Sequence, residues 1–230
     1  MSYSMLTQEE FILPSIQIMP SILAADFGDL RAECNRLIDA GADQLHIDIM
    51  DGVFVPNISF GTKAVELASG NVPLNVHLMI IDPLKYIDAY IQAGSNTISI
   101  HVESKSDIAQ TLKLIQSSGV RSGITLNPQT SNECIYKYLD MGIVDEILVM
   151  SVEPGFGGQQ YMSGVEAKLK DLRERWPEID IAVDGGIDDT NISSAVKNGA
   201  NLIVSGSHLY RQGSLKEAIS ELRNIALQNQ

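Results

Sequence analysis

DIAVDGGIDDTNISSAVKNGANLIVSGS, residues 180–207, decides the fold. It opens on the apolar run DIAVDG (180–185), crosses a Gly pair into the helix-type segment NISSAVKN (191–198), stops at Gly199 and enters NLIVSG (201–206). Both apolar runs are near-continuous, as expected of strands buried on both faces of a parallel sheet. A helix between two such strands, ended by a glycine that tolerates a left-handed conformation, is a βαβ unit.

The same unit recurs upstream. IQIMPSIL (16–23), QLHIDIM (44–50), LNVHLMI (74–80), TISIHV (97–102), RSGITL (121–126) and EILVMSV (146–152) read as six earlier strands. Helical segments near 27–40, 62–69, 83–93, 107–118, 131–140 and 163–174 separate them, and a last helix covers about 214–227. Several stop at glycine, as at Gly41, Gly94 and Gly119. Eight strand–helix units, with no linker-like stretch between them, predict an α/β fold of one domain, a (β/α)₈ TIM barrel over 15–230. The rival is an open doubly wound sheet. It usually carries GxGxxG after its first strand, and none is present here.

A chain of 230 residues is close to the usual length of such a barrel. Its formal net charge of −13 leaves no basic stripe for nucleic acid or an anionic membrane. A small phosphorylated ligand is not excluded, because a local nest of N–H donors suffices. No apolar run is long enough to cross a membrane. Residues 1–14 read as a short polar extension. They lack a basic n-region and carry Glu9 and Glu10, so no secretory signal is expected. Cys34 and Cys134 have no CxxC spacing, and both fall in helical segments. The plain reading is a cytoplasmic protein without disulfides.

Barrel chemistry gathers at the carboxyl ends of the strands. His46, Asp48, His77 and Asp184 all lie there. Alternation along a strand puts His46 and Asp48 on one face, and likewise His77 with Met79 and Met19 with Ser21. Singly these residues have plain explanations, since an HxD pair on a strand is often structural and Asp before Gly often shapes a turn. Together at three strand ends they point to a site for one divalent ion, with Zn²⁺, Fe²⁺, Mn²⁺ and Co²⁺ all compatible. PGFGGQQ (154–160), DGG (184–186) and SGS (205–207) form three successive Gly-rich loops after the last three strands. Such loops let backbone N–H groups approach a phosphate.

PSILAADF (20–27), HIDIMDGVFVPN (46–57), HLM (77–79), MSVEPGFGGQ (150–159), VDGGI (183–187) and VSGS (204–207) resemble, in order and spacing, the motifs of the D-ribulose-5-phosphate 3-epimerase family. The resemblance spans nearly the whole chain from about residue 18. It implies a barrel of the ribulose-phosphate-binding type and metal-dependent epimerisation at C3 of D-ribulose 5-phosphate to D-xylulose 5-phosphate. It implies that His46, Asp48, His77 and Asp184 hold the ion, and that Asp48 and Asp184 are the acid and base. Ser21 and His77 match substrate contacts. Gly155, Phe156, Gly157, Gly158, Gly185, Gly186, Gly206 and Ser207 match the segments that hold the substrate, chiefly its phosphate. Met50, Met79 and Met150 match methionines lining the site; barrel core is their other reading. A homo-oligomer, dimer or hexamer, is also implied.

Ala24 stands where many relatives have serine, and GSHLYRQGS (206–214) departs from the family's usual small and aliphatic residues, which leaves the role of His208 open. His101 reads as structural or as a support for the ligands, and Asp51 as a turn former. The nearest rival function is 3-epimerisation of a related ketose phosphate such as allulose 6-phosphate. A related barrel synthase or decarboxylase would show DxKxxD, but the stretch here is Asp48-Ile49-Met50-Asp51, without lysine. A non-catalytic phosphate-binding barrel would be expected to have lost a ligand or carboxylate, and all are present.

Overall fold

The computed structural model describes residues 14–230; the rest of the 1–14 extension lies outside the described residues. Eight parallel strands form one sheet: β1 (Gln17–Pro20), β2 (Leu45–Met50), β3 (Leu74–Met79), β4 (Thr97–His101), β5 (Arg121–Leu126), β6 (Glu146–Met150), β7 (Asp180–Asp184) and β8 (Leu202–Ser205). Their order is β1-β8-β7-β6-β5-β4-β3-β2, and a parallel bridge from Ser21 to His46 brings the two ends together. The sheet is therefore a barrel and not an open doubly wound sheet. Closure falls beside the candidate site, since His46 is one of its residues.

Helices α1 (Leu30–Asp39), α2 (Thr62–Ala68), α3 (Ile87–Gln92), α4 (Ile108–Ser117), α5 (Glu133–Asp140), α6 (Glu166–Arg175) and α7 (Ile192–Lys197) connect successive strands. After β8 come α8 (Ser207–Arg211) and α9 (Leu215–Leu227). The first strand is shorter than the run 16–23 predicts. Pro20 offers no N–H to extend the ladder, and Ser21 instead caps a 3-10 turn over Ile22–Ala24 by accepting from the Leu23 N–H. α8 lies in a stretch whose polar residues give no helical period. Gly199 shows why glycine ends α7: its φ is +111°, and a Cβ there would sit 2.5 Å from that of Arg173.

Strand alternation separates two cores. Outward residues such as Ile18, Ile47, Val76, Ile98, Ile124, Ile147, Val183 and Ile203 pack against the helices. Inside the barrel, Met19, Leu148, Met150, Ala182, Leu202 and Val204 form an apolar cluster. The facing half of the interior is polar: His46, Asp48, Asn75, His77, Ser99, His101 and Thr125 are all buried. Buried polar groups on this scale need partners or a ligand, so the polar half of the interior marks where chemistry can reside.

Candidate active site

Register sets the cluster. Asp48 pairs with His77 across β2 and β3, and Met150 with Asp184 across β6 and β7. The His46 Nε2 lies 3.2 Å from Asp48 Oδ1 and 3.6 Å from Asp184 Oδ2. The His77 Nδ1 lies 3.0 and 3.8 Å from the same two oxygens. One ligand atom from each of the four residues falls within 4.8 Å of all the others. Neither His46 ring nitrogen has a hydrogen-bond partner, although the ring is fully buried. A buried imidazole with a bare nitrogen facing two carboxylates fits a divalent ion, so the donor set passes this test.

Electrostatics divides the two carboxyls. Burial would raise Asp48, but the neighbouring His46 and His77 outweigh it and hold Asp48 well below the usual carboxylate range. Burial and the Asp48 charge push Asp184 up to about 7, against the pull of His46. The two carboxyls are thus driven apart in proton affinity, Asp48 downward and Asp184 upward, as in an acid–base pair. Burial pulls His46 down, yet Asp48 and Asp184 carry it up to about 9. Burial dominates at His77, which falls to about 4 despite Asp48.

Above the cluster opens a pocket of about 400 Å³. Ser21, Asp48, Met50, Met79, Met150 and Asp184 line it, so the three methionines face the cavity. So do Gly155, Phe156, Gly157, Gly158, Gly185, Gly186, Gly206 and Ser207. The Ser21 hydroxyl donates to Asp48 Oδ2 at 2.6 Å. His77, expected also to touch substrate, is fully buried beneath Asp48 and does not line the pocket; nor does His46. His208 turns its Nδ1 towards Asp189, 3.9 Å away, and stays outside the pocket. Asp51 organises its turn, accepting from the N–H groups of Val53 and Phe54 at 2.8 Å each and of Ile81 at 2.7 Å.

Three features escaped the sequence reading. Arg211, on α8, lines the pocket; its Nη2 is 3.6 Å from the point where a Gly158 side chain would begin. Glu146, buried at the start of β6, accepts from Asn75 Nδ2 through both oxygens (2.8 and 2.9 Å), and burial pushes its carboxyl up. A charge opening an otherwise apolar strand was the available signal. The third is a contact line: His77 Nε2 is 2.8 Å from His101 Nε2, and His101 Nδ1 is 3.1 Å from Glu103 Oε2. Burial would raise Glu103, but hydrogen bonds from His101, the Thr130 hydroxyl and the Asn127 N–H outweigh it and hold it at about 2.

Fold and site together define a (β/α)₈ barrel with a His/Asp cluster suited to a metal ion at the floor of a Gly-walled pocket. Residues 17–210 match the model of the ribulose-phosphate 3-epimerase family. The chain belongs to that family. It is 41% identical over 215 residues to the ribulose-phosphate 3-epimerase of Bacillus subtilis (strain 168), covering 90% of this chain and 98% of that one. It is 39% identical over 223 residues to the Eremothecium gossypii enzyme of the same name, covering 90% and 91%. Among solved structures it resembles the 3-hexulose-6-phosphate synthase of Salmonella typhimurium, with a TM-score of 0.72 at 12% identity, over 94% of this chain and 100% of that one. A 3-keto-L-gulonate-6-phosphate decarboxylase from Vibrio cholerae gives 0.71 at 14% identity, again over 94% and 100%. At such identities the likeness is one of fold. No helix among the described residues is long and apolar enough to cross a membrane.

Proposed function

We propose that the chain interconverts D-ribulose 5-phosphate and D-xylulose 5-phosphate by moving the C3 proton between two faces. The observation that carries this is the pair Asp48 and Asp184, both lining one pocket and pushed in opposite directions in proton affinity. Epimerisation removes a proton from one face of the carbon and returns one to the other. A single base reaches one face; two carboxyls reach both. In one direction Asp48 accepts the C3 proton and Asp184 gives its own to the opposite face; the roles exchange in reverse. The intermediate is an enediolate, with charge developing on oxygen.

His46, Asp48, His77 and Asp184 would hold a divalent ion, which when bound would supply Lewis-acid stabilisation of that charge. Zn²⁺, Fe²⁺, Mn²⁺ and Co²⁺ all suit the donors. Ser21 steadies the Asp48 carboxylate through its hydroxyl. The glycines at 155, 157, 158, 185, 186 and 206, with Ser207, would hold the phosphate and so fix the reacting carbon between the carboxyls. Met50, Met79 and Met150 present apolar walls that keep water from the intermediate. A dimer or hexamer in the cytoplasm belongs to the same proposal. The two free cysteines suit a reducing compartment, and light scattering of the purified protein checks the assembly.

The test uses protein loaded with one metal, assayed on D-ribulose 5-phosphate and on allulose 6-phosphate. Turnover of the pentose in D₂O is expected to place deuterium at C3 of the product. Faster turnover of the six-carbon substrate would overturn the assignment, as would full activity after chelation has stripped the ion.

Arg211 gives a second expectation. A guanidinium beside the phosphate loops can donate charge-assisted hydrogen bonds. Arg211→Ala is expected to raise KM about 10-fold with kcat within about twofold, the pattern of lost uniform binding. An unchanged KM would remove Arg211 from the phosphate site.

A further inference from the structure

We propose that Glu103, acting through His101, keeps the His77 Nδ1 free of a proton so that it can ligate a metal ion. The inference rests on the metal-site reading above. Four groups stand in line: Asp48, His77, His101 and Glu103. His77 Nδ1 is 3.0 Å from Asp48 Oδ1, His77 Nε2 is 2.8 Å from His101 Nε2, and His101 Nδ1 is 3.1 Å from Glu103 Oε2. Both rings are fully buried.

With one N–H on each ring, the two imidazoles bring two hydrogens to the line. The line has three gaps, so one gap holds no hydrogen. Asp48 and Glu103 are both acceptor-only ends, but an ion held by the four-residue cluster would take the place of a hydrogen at the Asp48 end, and Glu103 is then the end that accepts from the line. When His101 donates from Nδ1 to Glu103, its Nε2 is bare and accepts from the His77 Nε2–H. The empty gap then falls between His77 Nδ1 and Asp48, within the four-residue cluster. Glu103 is itself held in place. Its Oε1 accepts from the Asn127 N–H and the Thr130 hydroxyl, which leaves Oε2 for His101. His101 and Glu103 are thus positioning residues. They touch no reacting atom but decide which nitrogen of His77 is available.

Glu103→Gln is a sharp probe, because it preserves shape and reverses polarity at one atom. The Asn127 and Thr130 donors retain the amide oxygen, so the NH₂ group faces His101 Nδ1. The glutamine now fills that gap, His101 donates from Nε2, and the remaining hydrogen of His77 moves to Nδ1. No gap is empty, and an ion must displace a hydrogen to enter.

The experiment measures Zn²⁺ affinity by competition with a chromophoric chelator, alongside long-range ¹H–¹⁵N spectra of the imidazoles in zinc-loaded protein. Glu103→Gln is expected to weaken zinc binding by about 10- to 100-fold, the usual range for removing a support behind a ligand. Thr130→Val touches the same carboxylate without reversing the line and should bind within about threefold of the parent. The parent spectrum should show His101 protonated at Nδ1 and His77 at Nε2. A Glu103→Gln protein that binds zinc as well as the parent overturns the relay alone. Parent protein that takes up no zinc overturns the relay and the metal reading together. Should Glu103→Gln fail to fold, the parent spectrum decides: a hydrogen on His101 Nε2 overturns the proposal.

Discussion

Asp48→Asn is expected to lower kcat at least about 10³-fold with little change in thermal stability, because the substitution removes a base and a metal ligand while keeping the volume. Asp48 is 4% exposed at the pocket floor, and the Ser21 hydroxyl can donate to an amide oxygen as it does to the carboxylate. The amide cannot accept a proton from carbon. Asp184→Asn should fall comparably, for it removes the acid on the opposite side. The two variants should still differ in one respect. Each keeps a single carboxyl, which can take a C3 proton and return a solvent-derived one to the same face. Each should therefore exchange C3 hydrogen with D₂O in one epimer only, and in opposite epimers, without net epimerisation. Proton NMR of each sugar phosphate with each variant reads this directly. Near-normal turnover in either variant, or exchange of the same epimer by both, would sink the two-carboxyl mechanism.

The parts of this site that were legible in the sequence are those set within one strand. His46 and Asp48 share a face by parity alone, and a strand that ends in Asp184-Gly185-Gly186 presents its carboxyl at a barrel mouth. The eight βα units were legible for a related reason: parallel strands buried on both faces read as continuous apolar runs. What escaped depends on register between strands far apart in sequence. Glu146 meets Asn75 over 71 residues, and His77 meets His101 over 24. No local period encodes such pairings. The burial of His77 beneath Asp48 was hidden likewise, since parity tells which face a side chain takes but not how deep it lies. Arg211 escaped because α8 is five residues long, too short to display an amphipathic pattern.

Gly186→Ala is expected to cost both stability and catalysis, whereas Gly157→Ala in the neighbouring loop should cost little. Gly186 has φ +66°, a left-handed conformation that costs an alanine roughly 1–2 kcal/mol. A Cβ there would lie 2.6 Å from both the Gln159 carbonyl oxygen and the Tyr161 nitrogen. These are backbone atoms, so no rotamer change relieves the clash. The 159–161 segment must move, and overpacking of this kind adds about 1–3 kcal/mol. Gly186 cannot retreat easily either, because Asn191 Nδ2 donates to its carbonyl at 2.9 Å. For a chain of this size the combined cost corresponds to a Tm fall of roughly 5–15 °C. The displaced segment continues directly from the pocket-lining residues Gly155, Phe156, Gly157 and Gly158. A shift of about 1 Å in a positioning loop can cost 10²-fold in rate, so kcat/KM should fall about that far. Gly157 lines the same pocket, but a Cβ there would meet nothing within 4 Å and its φ is not positive. Equal losses in the two variants would mean that glycine content, rather than the close approach of Gly186 to the 159–161 backbone, governs how the pocket holds its ligand.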